Sequence, residues 1–185
     1  MNKYLFLDID GVLNHDDWFE SDSYRNHQSN WKVSMFDPKC VERVNRILEE
    51  TNAKLVVSSS WRDMQDLPEI FAGVGLPTSF FVTPHSDIIF RLDPHDIWND
   101  DIRYWRGSEI KYWLDHKDPN ANYVILDDDP DMLEEQKYHF IQTCNDKLVT
   151  PKLYEYNKGS GLTDKCVEDA IKILNDGTST TIHKG

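Results

Sequence analysis

The sequence predicts an α/β fold, a three-layer Rossmann-like arrangement in which helices flank a parallel sheet, and three observations point to it. First, Tyr4–Leu7, Lys54–Val57 and Tyr123–Leu126 are runs of strand length, apolar almost throughout, as expected of strands buried on both faces. Second, stretches with helical spacing of apolar residues lie between and after them, which implies right-handed strand–helix–strand crossovers. Third, each run ends in a polar cluster, Asp8/Asp10, Ser58–Ser60 and Asp127–Asp129, and parallel sheets collect their ligands beyond the carboxyl ends of strands.

The elements follow in order. Tyr4–Leu7 runs into Asp8-Ile9-Asp10-Gly11, a strand ending in a turn. Residues 14–36 are polar and aromatic without period and read as an inserted flap or irregular loop. A helix starts at Asp37-Pro38, an N-cap followed by proline at the first helical position, and Val41, Val44, Ile47 and Leu48 supply its apolar face. After the second strand, Pro68, Gly73, Gly75, Pro77, Pro84 and Pro94 break the chain into short pieces, with a strand at Phe80–Thr83. A helix resumes at Ser108, with Ile110, Trp113 and Leu114 on one face. Beyond the third strand, Asp129 is expected to cap a short helix that begins at Pro130. His139–Gln142 reads as a last strand, and Thr163 caps a helix whose core face is Val167, Ala170, Ile171 and Leu174. This gives a single domain over 1–176, with short insertions at about 14–36 and 63–105, no large cap domain, and a flexible tail at 177–185.

Composition narrows the class. A chain of 185 residues with 39% hydrophobic content can bury a full core. The formal net charge of −13 repels phosphate backbones, so an extended footprint on a duplex is not expected. Cys40, Cys144 and Cys166 form no Cys-x-x-Cys pair, which argues against a disulfide framework or a zinc site. Two aspartates interrupt the N-terminal apolar run and no later run is long enough to span a bilayer, so a cytoplasmic protein with no membrane partner is expected.

Several carboxylates meeting at one sheet edge repel unless a cation lies among them, and hard oxygen donors favour magnesium. Such a site suits attack on phosphorus, because a carboxylate reaches a dianionic phosphate only when the phosphate charge is neutralised. Asp8 leaves the strand first and is the candidate nucleophile. Asp10 follows two residues later and is placed to give and take protons. A hydroxyl from Ser58 or Ser59 is suited to hold a phosphoryl oxygen, and Arg106 or Lys111 to supply a balancing cation.

LFLDIDGVLN resembles the first motif of the haloacid dehalogenase (HAD) superfamily, LVVSSSWR its second and VILDDDPDM its acidic fourth. Together with RGSEIKYWL and GLT, they resemble the HAD branch associated with RNA-repair enzymes. The resemblance implies Asp8 as nucleophile, Asp10 as acid/base, Ser58 or Ser59 as phosphate ligand, and Asp127 and Asp128 as magnesium partners beside Asp8 and Asp10. Arg106 stands where many members carry a lysine before a helix, with Lys111 as the alternative. It also implies a phosphatase working through a phospho-aspartyl intermediate, and the short insertions imply an open site suited to a nucleic-acid end.

Three functions are therefore expected in order. The first is removal of a terminal 3′ phosphate from a nucleic-acid end. The second is a nucleotidase or general small-molecule phosphatase, and the third an inactive HAD-like binding module. Simpler roles stand beside these. Ser60-Trp61-Arg62 is either a helix start or, through Arg62, a contact to a second phosphate or to the Asp128 region. His15, His85, His95 and His116 lack metal-ligand spacing and read as surface or loop residues, with a lesser case for His15 and Asp16 at the substrate. The aromatic residues of 14–36 either cover the core or stack on a base.

Overall fold

The structure, a computed structural model, describes residues 1–26, 30–92, 105–144 and 161–176. The expected tail, residues 93–104 of the second insertion and His95 lie outside the described residues. Five strands, β1 (Lys3–Leu7), β2 (Lys54–Val57), β3 (Phe81–Val82), β4 (Asn122–Asp127) and β5 (Phe140–Gln142), form one sheet in the order β3-β2-β1-β4-β5, with every pairing parallel. The three strands that end in polar clusters are thus adjacent. Leu7 lies opposite both Val57 and Leu126, so the next residue on each strand, Asp8, Ser58 and Asp127, reaches the carboxyl edge together. The ladder runs on past the strands through Asp8 N–H to Leu126 O and Ser58 N–H to Leu7 O, at 3.0 and 2.9 Å.

Alternation along the strands divides the core. Leu5, Leu7, Leu55, Val57, Val124 and Leu126 pack on one face, against α4 (Pro38–Thr51), α5 (Leu67–Val74) and the last helix, α8 (Asp164–Asp176). Tyr4, Phe6, Val56 and Ile125 pack on the other, against Ile110, Trp113 and Leu114 of α7 (Trp105–Lys117). The pleat that turns Phe6, Val56 and Ile125 toward α7 also turns Asp8, Ser58 and Asp127 that way.

The expected α4 forms with Asp37 as N-cap and Pro38 in the first turn, and Thr163 Oγ1 accepts from Cys166 N–H at the start of α8. The described residues of 14–36, which exclude 27–29, are more ordered than a loop. They carry three four-residue turns, α1 (Asp16–Phe19), α2 (Asp22–Arg25) and α3 (Trp31–Ser34), each capped by a side chain, from His15, Ser21 and Asn30. Part of the stretch read as a second insertion belongs to the frame, since α5 packs on the sheet and β3 extends it, and α6 (Ser86–Leu92) follows. No helix begins at Pro130, so Asp129 caps none. A 3₁₀ turn at Glu134–Gln136 stands there instead, because residues 130–133 run open to meet the start of α7.

His15 is not at the surface. It is 5% exposed; its Nδ1 accepts from Trp18 N–H and its Nε2 donates to Asp37 Oδ2 at 3.1 Å. Asp37 also accepts from Lys39 N–H at 2.9 Å, and its own N–H donates to Leu13 O. Burial would raise the pKa of Asp37, but the bonds from His15 and Lys39 outweigh it and hold this carboxyl below its usual range. One side chain therefore caps α4 and ties the 14–36 segment to it. We expect Asp37→Ala to lower the unfolding free energy by about 2–3 kcal/mol, through the lost cap and the stranded imidazole, as read by urea denaturation. A loss below about 0.5 kcal/mol would show that this latch carries no stability.

Candidate active site

Asp8 and Asp127 are 4% and 1% exposed, and Asp128 lies beside them at the same edge. Carboxylate oxygens of these three approach within 4.8 Å of one another. Arg106, on the first turn of α7, bridges the buried pair: its Nη2 is 3.4 Å from Asp8 Oδ1 and its Nε 3.3 Å from Asp127 Oδ2. The helix starts three residues earlier than the apolar pattern indicates, so Arg106 lies within it. Its N-terminus is capped from a distance, Asp131 Oδ2 accepting Arg106 N–H and Asp131 O accepting Gly107 N–H, both at 3.2 Å.

Desolvation dominates the electrostatics. It pushes the Asp8 carboxyl up to about 7, although Arg106 and a hydrogen bond from Ser59 pull the other way and Asp10 and Asp128 add repulsion. It pushes Asp127 up to about 8, with the charge of Asp8 adding to the effect and Arg106 opposing it. Burial tends to weaken the charge on Arg106, but Asp8, Asp127 and Glu109 together hold its pKa above the ordinary value.

The sequence candidates separate in space. Asp8, Asp127, Asp128 and Arg106 come together, with Ser59 bonded to Asp8. The Ser58 hydroxyl is enclosed and has no hydrogen-bond partner. Asp10 stands outside the carboxylate group, exposed at the rim, with Oδ1 accepting from Asn14 Nδ2 at 2.7 Å and Oδ2 from Trp61 Nε1 at 3.0 Å. Lys111 is exposed and paired with Asp115 at 2.7 Å and Glu135 at 3.6 Å. Gly11 has φ +74°, and a Cβ there would lie 2.2 Å from the Asp128 side chain, so this glycine permits both the turn and the close approach of the acidic loop.

Arg62 takes neither of the sequence-based roles at the site. It is buried in an ion pair with Glu109, because Thr83, His85 and Glu109 surround it with acceptors. Residues 60–63 form a 3₁₀ turn capped by Ser59. His85 bridges Arg62 and Asp63, and exposed His116 donates from Nδ1 to Tyr112 O and stacks on the Tyr112 ring. Sequence reasoning missed Asn14 and Trp61 as holders of Asp10. The spacing of Asn14, four residues after Asp10 across a glycine turn, was the available signal; nothing local marks Trp61.

The residues present suit a hard divalent cation. Three carboxylates converge beside Arg106, and Asp127 Oδ2 is buried without a hydrogen bond, 3.3 Å from Arg106 Nε. A family model described as the HAD domain in Swiss Army Knife RNA repair proteins matches residues 4–152. The chain belongs to this family. The matched span carries β1 to β5 and all the site residues above, whereas the GLT segment and α8 of this HAD domain lie beyond it. No curated protein and no solved structure matches the chain. Among the described residues no helix is long and apolar enough to cross a membrane.

The buried pair has a measurable consequence. Both carboxyls hold protons in the folded state at a pH where the unfolded chain has lost them, so metal-free stability falls as pH rises from about 4 to about 8. We expect Asp127→Asn to be more stable than the parent by about 1–3 kcal/mol at about pH 8 and to lose that advantage near pH 4. Parallel stability curves in urea across this range would contradict the electrostatic account.

Proposed function

We propose that this HAD domain is a magnesium-dependent phosphomonoesterase that works through a phospho-aspartyl intermediate on Asp8. The observation that carries the reading is the buried Asp8 carboxylate held between Arg106 and the Asp127/Asp128 pair at the carboxyl edge. Asp8, Asp127 and Asp128 would hold the magnesium ion, whose charge, when bound, offsets that of the phosphate dianion.

In the first step an Asp8 oxygen forms a bond to phosphorus as the bond to the ester oxygen breaks, and Asp10 delivers a proton to that leaving oxygen. In the second step water attacks the phosphorus of the acyl phosphate. Asp10 takes its proton, the bond to Asp8 breaks, and inorganic phosphate leaves. Trp61 and Asn14 hold the Asp10 carboxyl in one orientation through both steps. Arg106 offsets charge developing on the transferring oxygens, and Ser59, already within reach of Asp8, is the better placed of the two serines to bond one of them. Lys111, with its two carboxylate partners, is left outside the chemistry.

The substrate reading is removal of a 3′ phosphate from a nucleic-acid end. It is supported by the family's description as part of RNA repair proteins, and by a charge of −13 that disfavours a long footprint but not an end contact. We expect phosphate release from a 3′-phosphorylated oligonucleotide to exceed that from 5′-phosphorylated and mononucleotide substrates, to stop with EDTA, and to return with magnesium. Asp8→Asn should lower kcat by at least about 10³-fold while the protein stays folded. Preference for mononucleotides would move the assignment to a nucleotidase, and full activity of Asp8→Asn would exclude the phospho-aspartyl route. Silence of the parent on all three substrates would favour a binding module.

A further inference from the structure

We propose that Arg62 and Glu109 are positioning residues, whose buried ion pair sets where α7 presents Arg106 to the carboxylates. The inference rests on the reading of Arg106 as the cation of the reacting centre. The pair is bidentate, Arg62 Nη1 donating to Glu109 Oε2 at 2.7 Å and Nη2 to Oε1 at 3.1 Å, and the two side chains are 5% and 8% exposed. Each partner is anchored elsewhere. Arg62 leaves the turn after β2, and its Nη1 also donates to Thr83 Oγ1 at 2.7 Å, just past β3. Glu109 Oε1 also accepts from Ser86 N–H and Oγ–H, at 2.9 and 2.8 Å, at the start of α6. The pair therefore joins the β2 and β3 ends to α7.

Glu109 follows Arg106 by three residues, so the two lie one above the other on the same side of α7. On the opposite flank, Asp131 holds the Arg106 and Gly107 N–H groups, and Gln136 Nε2 donates to Gly107 O at 2.8 Å. A Cβ on Gly107 would lie 2.6 Å from Gln136 Oε1 and Leu133 N, so the helix end sits tightly against the loop that follows β4. The first turn of α7 is thus fixed on the β4 side through its backbone and on the β2 side through Glu109. These two constraints determine its roll and translation over Asp8 and Asp127. A buried ion pair is a poor source of net stability compared with apolar groups of the same volume, yet it fixes direction far better.

That difference separates positioning from mere packing. The double variant Arg62→Met/Glu109→Leu replaces the pair with apolar side chains, and the single variant Glu109→Gln keeps the shape but not the charge. Both are compared with the parent in two ways. The first is the ¹⁵N–¹H signal of the Arg106 Nε–H, identified by its disappearance in Arg106→Lys. We expect it to move away from its parental position and to exchange faster with water in either variant. The second is steady-state phosphate release from the same oligonucleotide, where kcat should fall about 10–100-fold with KM changed less than about threefold. An Arg106 signal unchanged in a folded variant overturns the inference, as does a change confined to KM. If the parent turns over no phosphate substrate, the proposed function fails, and the Arg106 signal alone still decides this inference.

Discussion

Burying two carboxylates side by side is costly, and at the carboxyl edge of this sheet Asp8 and Asp127 are both almost fully enclosed. In water each would be ionised near neutrality without penalty; here desolvation raises both pKa values, with added repulsion from Asp10 and Asp128 at Asp8 and from Asp8 at Asp127. Arg106 is the cation that reaches both, and much of the surrounding structure can be read as the means of keeping it there. The parallel register brings the carboxylates together, the pleat aims them at α7, and the start of α7 is capped by Asp131 so that its second residue meets them. Among the described residues Arg106 is shared between the two acids, and the hard oxygen donors gathered there suit a divalent cation.

The two halves of the DxDG motif have different environments, and that division matches the two kinds of work proposed for them. Asp8 ends a central strand with its N–H in the sheet ladder and its carboxyl desolvated, so it cannot move far. Asp10 lies on the turn permitted by the positive φ of Gly11, exposed at the rim and oriented by two neutral donors. A nucleophile benefits from rigidity and a dry setting, whereas a proton carrier must reach both a leaving oxygen and an incoming water.

Around this centre, the ion pairs divide by burial. Arg46–Glu50, Lys111–Asp115 and Lys165–Asp169 are exposed i,i+4 pairs on helix surfaces, of a kind that contributes little. Arg62–Glu109 is enclosed and connects three segments distant in sequence, at Arg62, Thr83–Ser86 and Glu109. The buried hydrogen bond from His15 to Asp37 plays the same part for the 14–36 segment, fastening its first turn to the cap of α4. Buried polar contacts of this type specify geometry more than they add stability, and both lie within one or two elements of the site.

The strands, the α4 cap and the acidic clusters were legible in the chain because their causes are local. An apolar run four or five residues long, an Asp-Pro helix start and a DxDG turn each carry their own physical signal. The sequence by itself thus determined the fold class, the family motifs and four candidate carboxylates, Asp8, Asp10, Asp127 and Asp128, whereas only the structure groups Asp8, Asp127 and Asp128 and sets Asp10 at the rim. What it left open depended on partners far along the chain. Whether Arg106 or Lys111 faces the carboxylates turned on Asp131, which starts α7 early and places Arg106 on its first turn. Arg62 turned inward because Glu109, 47 residues later, accepts it. His15 is buried because Asp37 and Gly161 close over it. Only the tertiary structure decided these orientations, because burial, not residue type, determines which of several available partners a charged side chain must find.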